Sequence, residues 1–316
     1  MTLTAPLPTD VEEAPPPAPD AGADVRKGGW FPRIVIALVV ALWLVPTVGV
    51  LVTSFRPEQQ VETTGWWTVF AHVFDSGQWT FQNYRDALDA GGFENAFLNS
   101  LAVTIPSTVM PITIAAFAAY AFSWMEFRGR YVMFVAVVAL LVVPLQMALI
   151  PILRLYSGGG EIAGVSVFPD LDLNGTFLGI WLAHTAFGLP LAVYLLRNFI
   201  GSLPSSIIES ARVDGADHFT IFWRLVVPLS VPALAAFAIF QFLWVWNDLL
   251  VARIFLGATE ENRVLTLALQ TLNGSRGEDW HLLTSAAFIS MILPLAVFFA
   301  LQRYFIRGLT AGAVKG

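Results

Sequence analysis

Residues 202–247 read SLPSSIIESARVDGADHFTIFWRLVVPLSVPALAAFAIFQFLWVWN, and they change character halfway. From Leu225 to Asn247 there is no Asp, Glu, Lys or Arg. A helix rises about 1.5 Å per residue, so ~20 such residues cross a hydrocarbon core of ~30 Å. Five further stretches share this property: Ile34–Phe55, Asn95–Met125, Tyr131–Leu153, Gly175–Leu196 and Leu282–Gln302. Asn95–Met125 is longer than a crossing requires, so part of it is expected at the interface. Composition agrees. The 316 residues are 56% hydrophobic and 13% charged, with a mean hydropathy of +0.68. Soluble domains run nearer about 45–50% apolar and about 25% charged. An ordinary water-soluble enzyme is therefore excluded, and the expectation is an all-α, polytopic membrane protein with six transmembrane helices.

Charge sets the rest of the frame. There are 17 Lys and Arg against 23 Asp and Glu, a net charge of −6, which argues against a nucleic-acid binder. The absence of cysteine excludes disulfides, thiolate metal sites and Cys nucleophiles, and leaves the redox compartment open. Among the four histidines no two are close in sequence, so no metal site is expected. With a cytoplasmic N-terminus, eleven of the Lys and Arg residues fall inside: Arg26, Lys27, Arg33, Arg128, Arg130, Arg197, Arg212, Arg224, Arg303, Arg307 and Lys315. Six fall outside: Arg56, Arg85, Arg154, Arg253, Arg263 and Arg276. The positive-inside bias then puts both termini in the cytoplasm. Trp30, Trp66, Trp67, Trp124, Trp223 and Trp280 lie near span ends, as an aromatic belt would. Residues 1–29 are rich in proline and acidic residues and read as a disordered cytoplasmic tail ahead of a membrane domain over 30–316. Pro46, Pro106, Pro111, Pro144, Pro190 and Pro294 fall inside spans, where each removes a helical hydrogen bond and predicts a kink.

The polar half of the opening stretch is a loop between the fourth and fifth spans. Ser202 is placed to cap a helix with Leu203 and Pro204 in its first turn. Ile207, Ile208, Ala211 and Val213 supply an apolar side, and Glu209, Arg212 and Asp214 a polar one. Gly215 ends or bends this helix, since glycine takes a left-handed conformation freely. Asp217 then caps a second short helix running through Phe219, Phe222 and Trp223 toward Pro228. The small residues at the tip let another protein's cleft close tightly around it.

This loop resembles the cytoplasmic signature of ATP-binding-cassette importer permeases: Glu-Ala-Ala, three residues, Gly, nine residues, Ile-x-Leu-Pro. Here Glu209-Ser210-Ala211, Gly215 and Leu225-Val226-Val227-Pro228 stand at that spacing, with Ser210, Leu225 and Val227 as conservative departures. The longer pattern ESARVDGAD followed by PLSVP is similar to the smaller maltose-type permease subunit of carbohydrate importers. The resemblance covers residues 30–316. GEIAGVSVFPDLDLNGTFLGIWLAHTAFGLPLAVYLLRNF within it looks most like α-glucoside permeases.

The resemblance implies a type I importer permease in a prokaryotic plasma membrane, a transport subunit with no enzymatic chemistry of its own. It implies a second, larger permease, two copies of an ATPase that bind ATP and Mg, and an extracytoplasmic sugar-binding protein. It also implies a coupling loop over 202–228, in which Glu209, Ser210, Ala211, Arg212, Asp214, Gly215 and Ala216 lie against the ATPase. The chain itself has no GxxxxGK[ST] motif, so it is expected to carry no cofactor. The solute implied is a sugar, an α-glucoside or oligosaccharide, with a polyol or glycerol phosphate as the alternative. An ion-driven secondary transporter would need intramembrane carboxylates, and Asp248 alone approaches that description.

Candidate substrate-path residues are His184, Gln241, Trp244, Asn247 and Asp248. Four of them have a second reading. Asn247 and Asp248 also fit a solvated span end or a helix contact, His184 a hydrogen-bonded packing residue, and Trp244 an interfacial anchor. The polar stretch Arg253–His281 fits either a loop that reaches into the binding protein or a solvated connector.

Overall fold

A computed structural model describes residues 29–90, 92–158, 160–162, 165–257, 259–272 and 279–311. The tail expected over 1–29 lies outside them apart from Gly29. The chain divides inside its first helix, between Val48 and Gly49, into two units, and all packing discussed below belongs to the second. In order the elements are α1 (Trp30–Ser54), α2 (Glu58–Thr63), two 3-10 turns (Trp66–Ala71 and Ser76–Gln78), α3 (Gln82–Asp89) and α4 (Phe93–Trp124). Then come α5 (Arg130–Ala139) with a 3-10 turn (Leu140–Val142), α6 (Leu145–Gly158) and α7 (Phe177–Ile200). The surface loop holds α8 (Ser205–Val213) and α9 (His218–Ile221). A π turn (Phe222–Val226) carries α9 into α10 (Val227–Trp246), and α11 (Leu250–Phe255), α12 (Leu265–Leu272) and α13 (Trp280–Ala311) complete the chain. Among the described residues the strands form a short antiparallel hairpin, β1 (Gly160–Ile162) with β2 (Val165–Phe168).

Five helical runs are long and apolar enough to cross a membrane, and a bent pair, α5 with its 3-10 turn and then α6 at 106°, makes a sixth when taken as one broken span. The sequence reading expected one kinked span over Tyr131–Leu153. The break arises at Val143, whose backbone is extended (φ −74°, ψ 116°) because the ring of Pro144 disfavours helical geometry in the residue before it.

Elsewhere prolines sit inside unbroken helices, and α4 carries two of them. A proline leaves the carbonyl four residues earlier without its helical partner, which lipid cannot replace. Three such carbonyls are claimed by side chains from neighbouring helices. Trp181 Nε1 donates to Ala102 O (2.8 Å), the carbonyl freed by Pro106. Gln241 Nε2 donates to Ser107 O (3.1 Å), freed by Pro111. Trp246 Nε1 donates to Ser290 O (3.1 Å), freed by Pro294. These bonds tie α4 to α7 and α10, and α10 to α13.

Small residues let the same helices approach. Ala115, Ala116 and Ala119 of α4 are buried with Ala192, Val193 and Leu196 of α7. Gly188 of α7 faces Gln241: a Cβ there would lie 2.7 Å from its amide, so only glycine leaves room for that side chain.

The segment after α1 folds around an arginine. Arg56 is 1% exposed, and its guanidinium donates to Gly65 O (3.0 Å), Thr64 Oγ1 (2.6 Å) and Thr68 Oγ1 (3.3 Å). Asn83 of α3 closes the turn by donating to the carbonyls of Ser54 and Arg56. Arg253–His281 is more than a solvated connector. It contains the end of α11 and all of α12, with Phe255, Leu265 and Leu267 buried, while residues 273–278 lie outside the described part.

Candidate functional site

The surface loop between α7 and α10 is built in three layers. At its base Ile208 of α8 is 1% exposed, in a cluster with Leu196 and Ile200 of α7 and with Ile221 and Phe222. Full burial of one isoleucine contributes about 1.5–3 kcal/mol toward docking this nine-residue helix on the bundle. Above it, Arg212 Nη2 donates to the carbonyl of Trp124 at the end of α4 (2.8 Å). Trp124 Nε1 donates in turn to Ile200 O (3.1 Å) at the end of α7. Tyr120 Oη and His218 Nδ1, 2.8 Å apart, add a tie from α4 to α9.

The tip is a Schellman turn. Ala216 N donates to Ala211 O (2.9 Å) and Gly215 N to Arg212 O (3.0 Å), and Gly215 takes φ +81°. Nothing lies within 4 Å of where a Gly215 Cβ would stand, so glycine is required here by backbone geometry and not by crowding inside the chain. Asp217 then caps α9: its Oδ1 accepts from Thr220 N (2.8 Å), and the Thr220 hydrogen bonds hold its carboxyl below the usual carboxylate range.

Three details differ from the sequence reading. Ser202 does not cap α8; its hydroxyl donates to Phe199 O (2.8 Å), and Pro204 precedes the first turn. Val213 leaves the apolar side and is 88% exposed at the tip, because 3.6 residues per turn place it about 140° round the helix from buried Ile208. The segment after Asp217 does not end near Pro228 but runs on into the fifth crossing.

Of the residues assigned to the coupling loop, Glu209, Ser210, Arg212, Asp214 and Gly215 are exposed, while Ala211 and Ala216 are half-buried. A shallow groove of ≈ 490 Å³ beside the tip is lined by Arg212, Gly215, Ala216, Asp217, His218 and Ile221. The site therefore presents an apolar residue, a bare backbone turn and mixed charge on a stiff support. Such a surface suits protein contact and offers no nucleophile or paired acid and base.

The substrate-path candidates are only partly brought together. His184 is fully buried, its Nε2 3.8 Å from Asp248 Oδ2 and its ring edge-on to Trp244. That separation is too long for a hydrogen bond. The Asp248 carboxylate instead accepts from the backbone of Ala252 (2.9 Å) and Val251 (3.3 Å), closing the start of α11. Burial raises its pKa against those hydrogen bonds. Gln241 is fully buried with its amide on Ser107 O, and Asn247 is exposed, donating to Leu243 O (2.7 Å). Trp244 alone of the five reaches the wall of a large apolar cavity of ≈ 470 Å³, formed where α5 and α6 break, with Leu141, Pro144, Phe187 and Pro190. The sequence reading missed Trp124 and Arg56 as structural hubs. For Trp124 the available signal was its position at the end of a span facing the loop.

Comparison with known proteins fits this geometry. The family described as "Binding-protein-dependent transport system inner membrane component" matches residues 97–311. The chain is 56% identical to the "Osmoprotective compounds uptake permease protein GgtD" of Synechocystis sp., over 90% of this chain and 91% of that one. It is 44% identical to the "Alpha-glucoside transport system permease protein AglG" of Rhizobium meliloti, over 91% and 97%. Among solved structures, a chain of a bacterial ABC transporter involved in alginate import superposes with a TM-score of 0.70 at 20% identity, covering 89% of this chain and 97% of that one. The chain thus belongs to the binding-protein-dependent inner membrane components, the permease subunits of ATP-binding-cassette importers.

Proposed function

We propose that this permease forms half of the translocation path of an ATP-driven importer for α-glucosides or related oligosaccharides. A larger permease supplies the other half, two ATPase copies bind ATP and Mg beneath, and an extracytoplasmic binding protein delivers the solute. Both termini are cytoplasmic, which puts the loop over 202–228 on the ATPase side, as the Lys and Arg distribution supports. The observation that carries the reading is the exposed Schellman tip backed by Ile208, Arg212 and Trp124. Seated in a groove of the ATPase, this tip would move with it. Arg212 on Trp124 and Ile208 against Leu196 would pass the displacement to α4 and α7, opening the path to alternate sides. A merely solvated loop would have no use for such backing.

The solute assignment rests on the Rhizobium relative, which is named for α-glucoside transport. The Synechocystis relative, named for osmoprotective compounds, favours a second reading in which the cargo is a compact polyhydroxylated osmoprotectant such as a polyol. Reconstitution of the whole assembly with its binding protein separates them by the solute that stimulates ATP hydrolysis. Stimulation by an α-glucoside is the expected result. Stimulation by a polyol alone would replace the solute and keep the machine. Uptake by this chain alone on an ion gradient would overturn both.

A further inference from the structure

Outside the coupling loop and the path, one cluster of side chains has no role in transport as described. Glu58 at the start of α2, and Asp279 and His281 at the start of α13, each offer one ligand atom, and these three atoms lie within 4.8 Å of one another. The ligands come from opposite ends of the chain, so reading neighbouring histidines in the sequence could not find them. His281 is 7% exposed and its Nδ1 is buried without a hydrogen-bond partner. A buried polar nitrogen left bare costs about 1–3 kcal/mol. Among the described residues neither carboxylate is held by an ion pair or a side-chain hydrogen bond.

We infer that Glu58, Asp279 and His281 form a binding site for a divalent transition-metal ion of the zinc type. The ligand set excludes the all-oxygen preference of calcium and magnesium and matches the mixed nitrogen and oxygen ligation of zinc. Metal–ligand distances of about 2.0–2.2 Å place ligand atoms roughly 3.5 Å apart. The cluster must therefore contract slightly around the ion, and Glu58, being exposed, is free to change rotamer and do so. Water completes the coordination on the open side.

The position gives the site a consequence. One turn beyond His281, Ser285 Oγ bonds to the carbonyl of Ser54 at the end of α1 (2.9 Å). An ion shared by Glu58 and His281 adds a second tie between the segment after the first crossing and the start of the last. With the orientation proposed above, this tie sits on the outer face, where it is open to extracytoplasmic metal.

The test uses the tag-free permease in its assembled complex, stripped with chelator and titrated with Zn²⁺ by calorimetry, with thermal unfolding as a second readout. The wild type is expected to bind one Zn²⁺ per permease and to unfold at higher temperature with the ion. Glu58→Gln and Asp279→Asn, which leave the buried histidine and its packing alone, should each weaken binding by about 100-fold, since even outer partners of a metal ligand cost about 10–100-fold. His281→Asn should abolish it. Absence of saturable binding in the wild type, or binding that survives Glu58→Gln and Asp279→Asn unchanged, would overturn the site.

Discussion

Gly215 shows how much of the proposed coupling loop is decided at one backbone position. Its φ of +81° is the left-handed region, where any other residue costs about 1–2 kcal/mol. The space around it is nevertheless open. Gly215→Ala should therefore lower the local stability of the tip by about 1 kcal/mol, read as faster amide exchange over 211–217, and leave transport coupled. Gly215→Glu adds bulk where the ATPase would seat, so the complex should assemble at least partly while sugar uptake no longer follows ATP hydrolysis. Normal uptake by Gly215→Glu in vesicles would contradict the coupling role. Two residues on, Asp217 supplies a pH-dependent cap. Its pKa is held low by Thr220, so the cap is complete above the ordinary carboxylate range and is lost as pH falls through its own lowered value. Exchange at the Thr220 amide should quicken on acidification, and Asp217→Ala should flatten that response. A Thr220 amide indifferent to pH in the wild type would contradict the cap.

At the level of elements, prolines act in two ways that the sequence does not distinguish. Pro106, Pro111 and Pro294 leave their helices continuous, with the freed carbonyls taken by Trp181, Gln241 and Trp246. Pro144 breaks its span outright. A proline can be read from the sequence, but the donor that compensates it sits on another helix and becomes visible only once the helices pack. The same gap explains Gln241: a glutamine in an apolar span suggests a solute contact, yet its amide faces a backbone carbonyl. A double-mutant cycle tests this. Trp246→Phe should cost about 1–3 kcal/mol by orphaning Ser290 O. In a Pro294→Ala background, where the helix supplies its own N–H, the cost should fall by about 1 kcal/mol. Strict additivity would contradict the pairing. The α5–α6 break is testable by spin labels on Met133→Cys and Leu153→Cys, since the chain has no cysteine of its own. A straight helix would separate the two backbones by about 30 Å, whereas the 106° bend brings them to about 18 Å. The longer distance would show that the break is absent.

For the whole molecule, the crossings were legible because membrane thickness imposes a length on charge-free runs that no tertiary detail can blur. The turn in the loop over 202–228 was legible for the opposite reason: Gly215, Asp217 and the short spacing between them act locally, so sequence neighbours determine the geometry. What stayed hidden depends on residues far apart in the chain, as with the hub at Arg56, the Arg212–Trp124–Ile200 chain and the Glu58–Asp279–His281 cluster. The central claim is that the tip at Val213 seats in a partner ATPase, and the cysteine-free background gives a direct measurement. Val213→Cys and, between α2 and α3 on the side that the proposed orientation makes extracytoplasmic, the fully exposed Phe74→Cys are each introduced into the active complex and treated with a thiol–amine cross-linker. A permease–ATPase product with Val213→Cys and none with Phe74→Cys is the expected result; no ATPase product with Val213→Cys in a complex that still transports would contradict it.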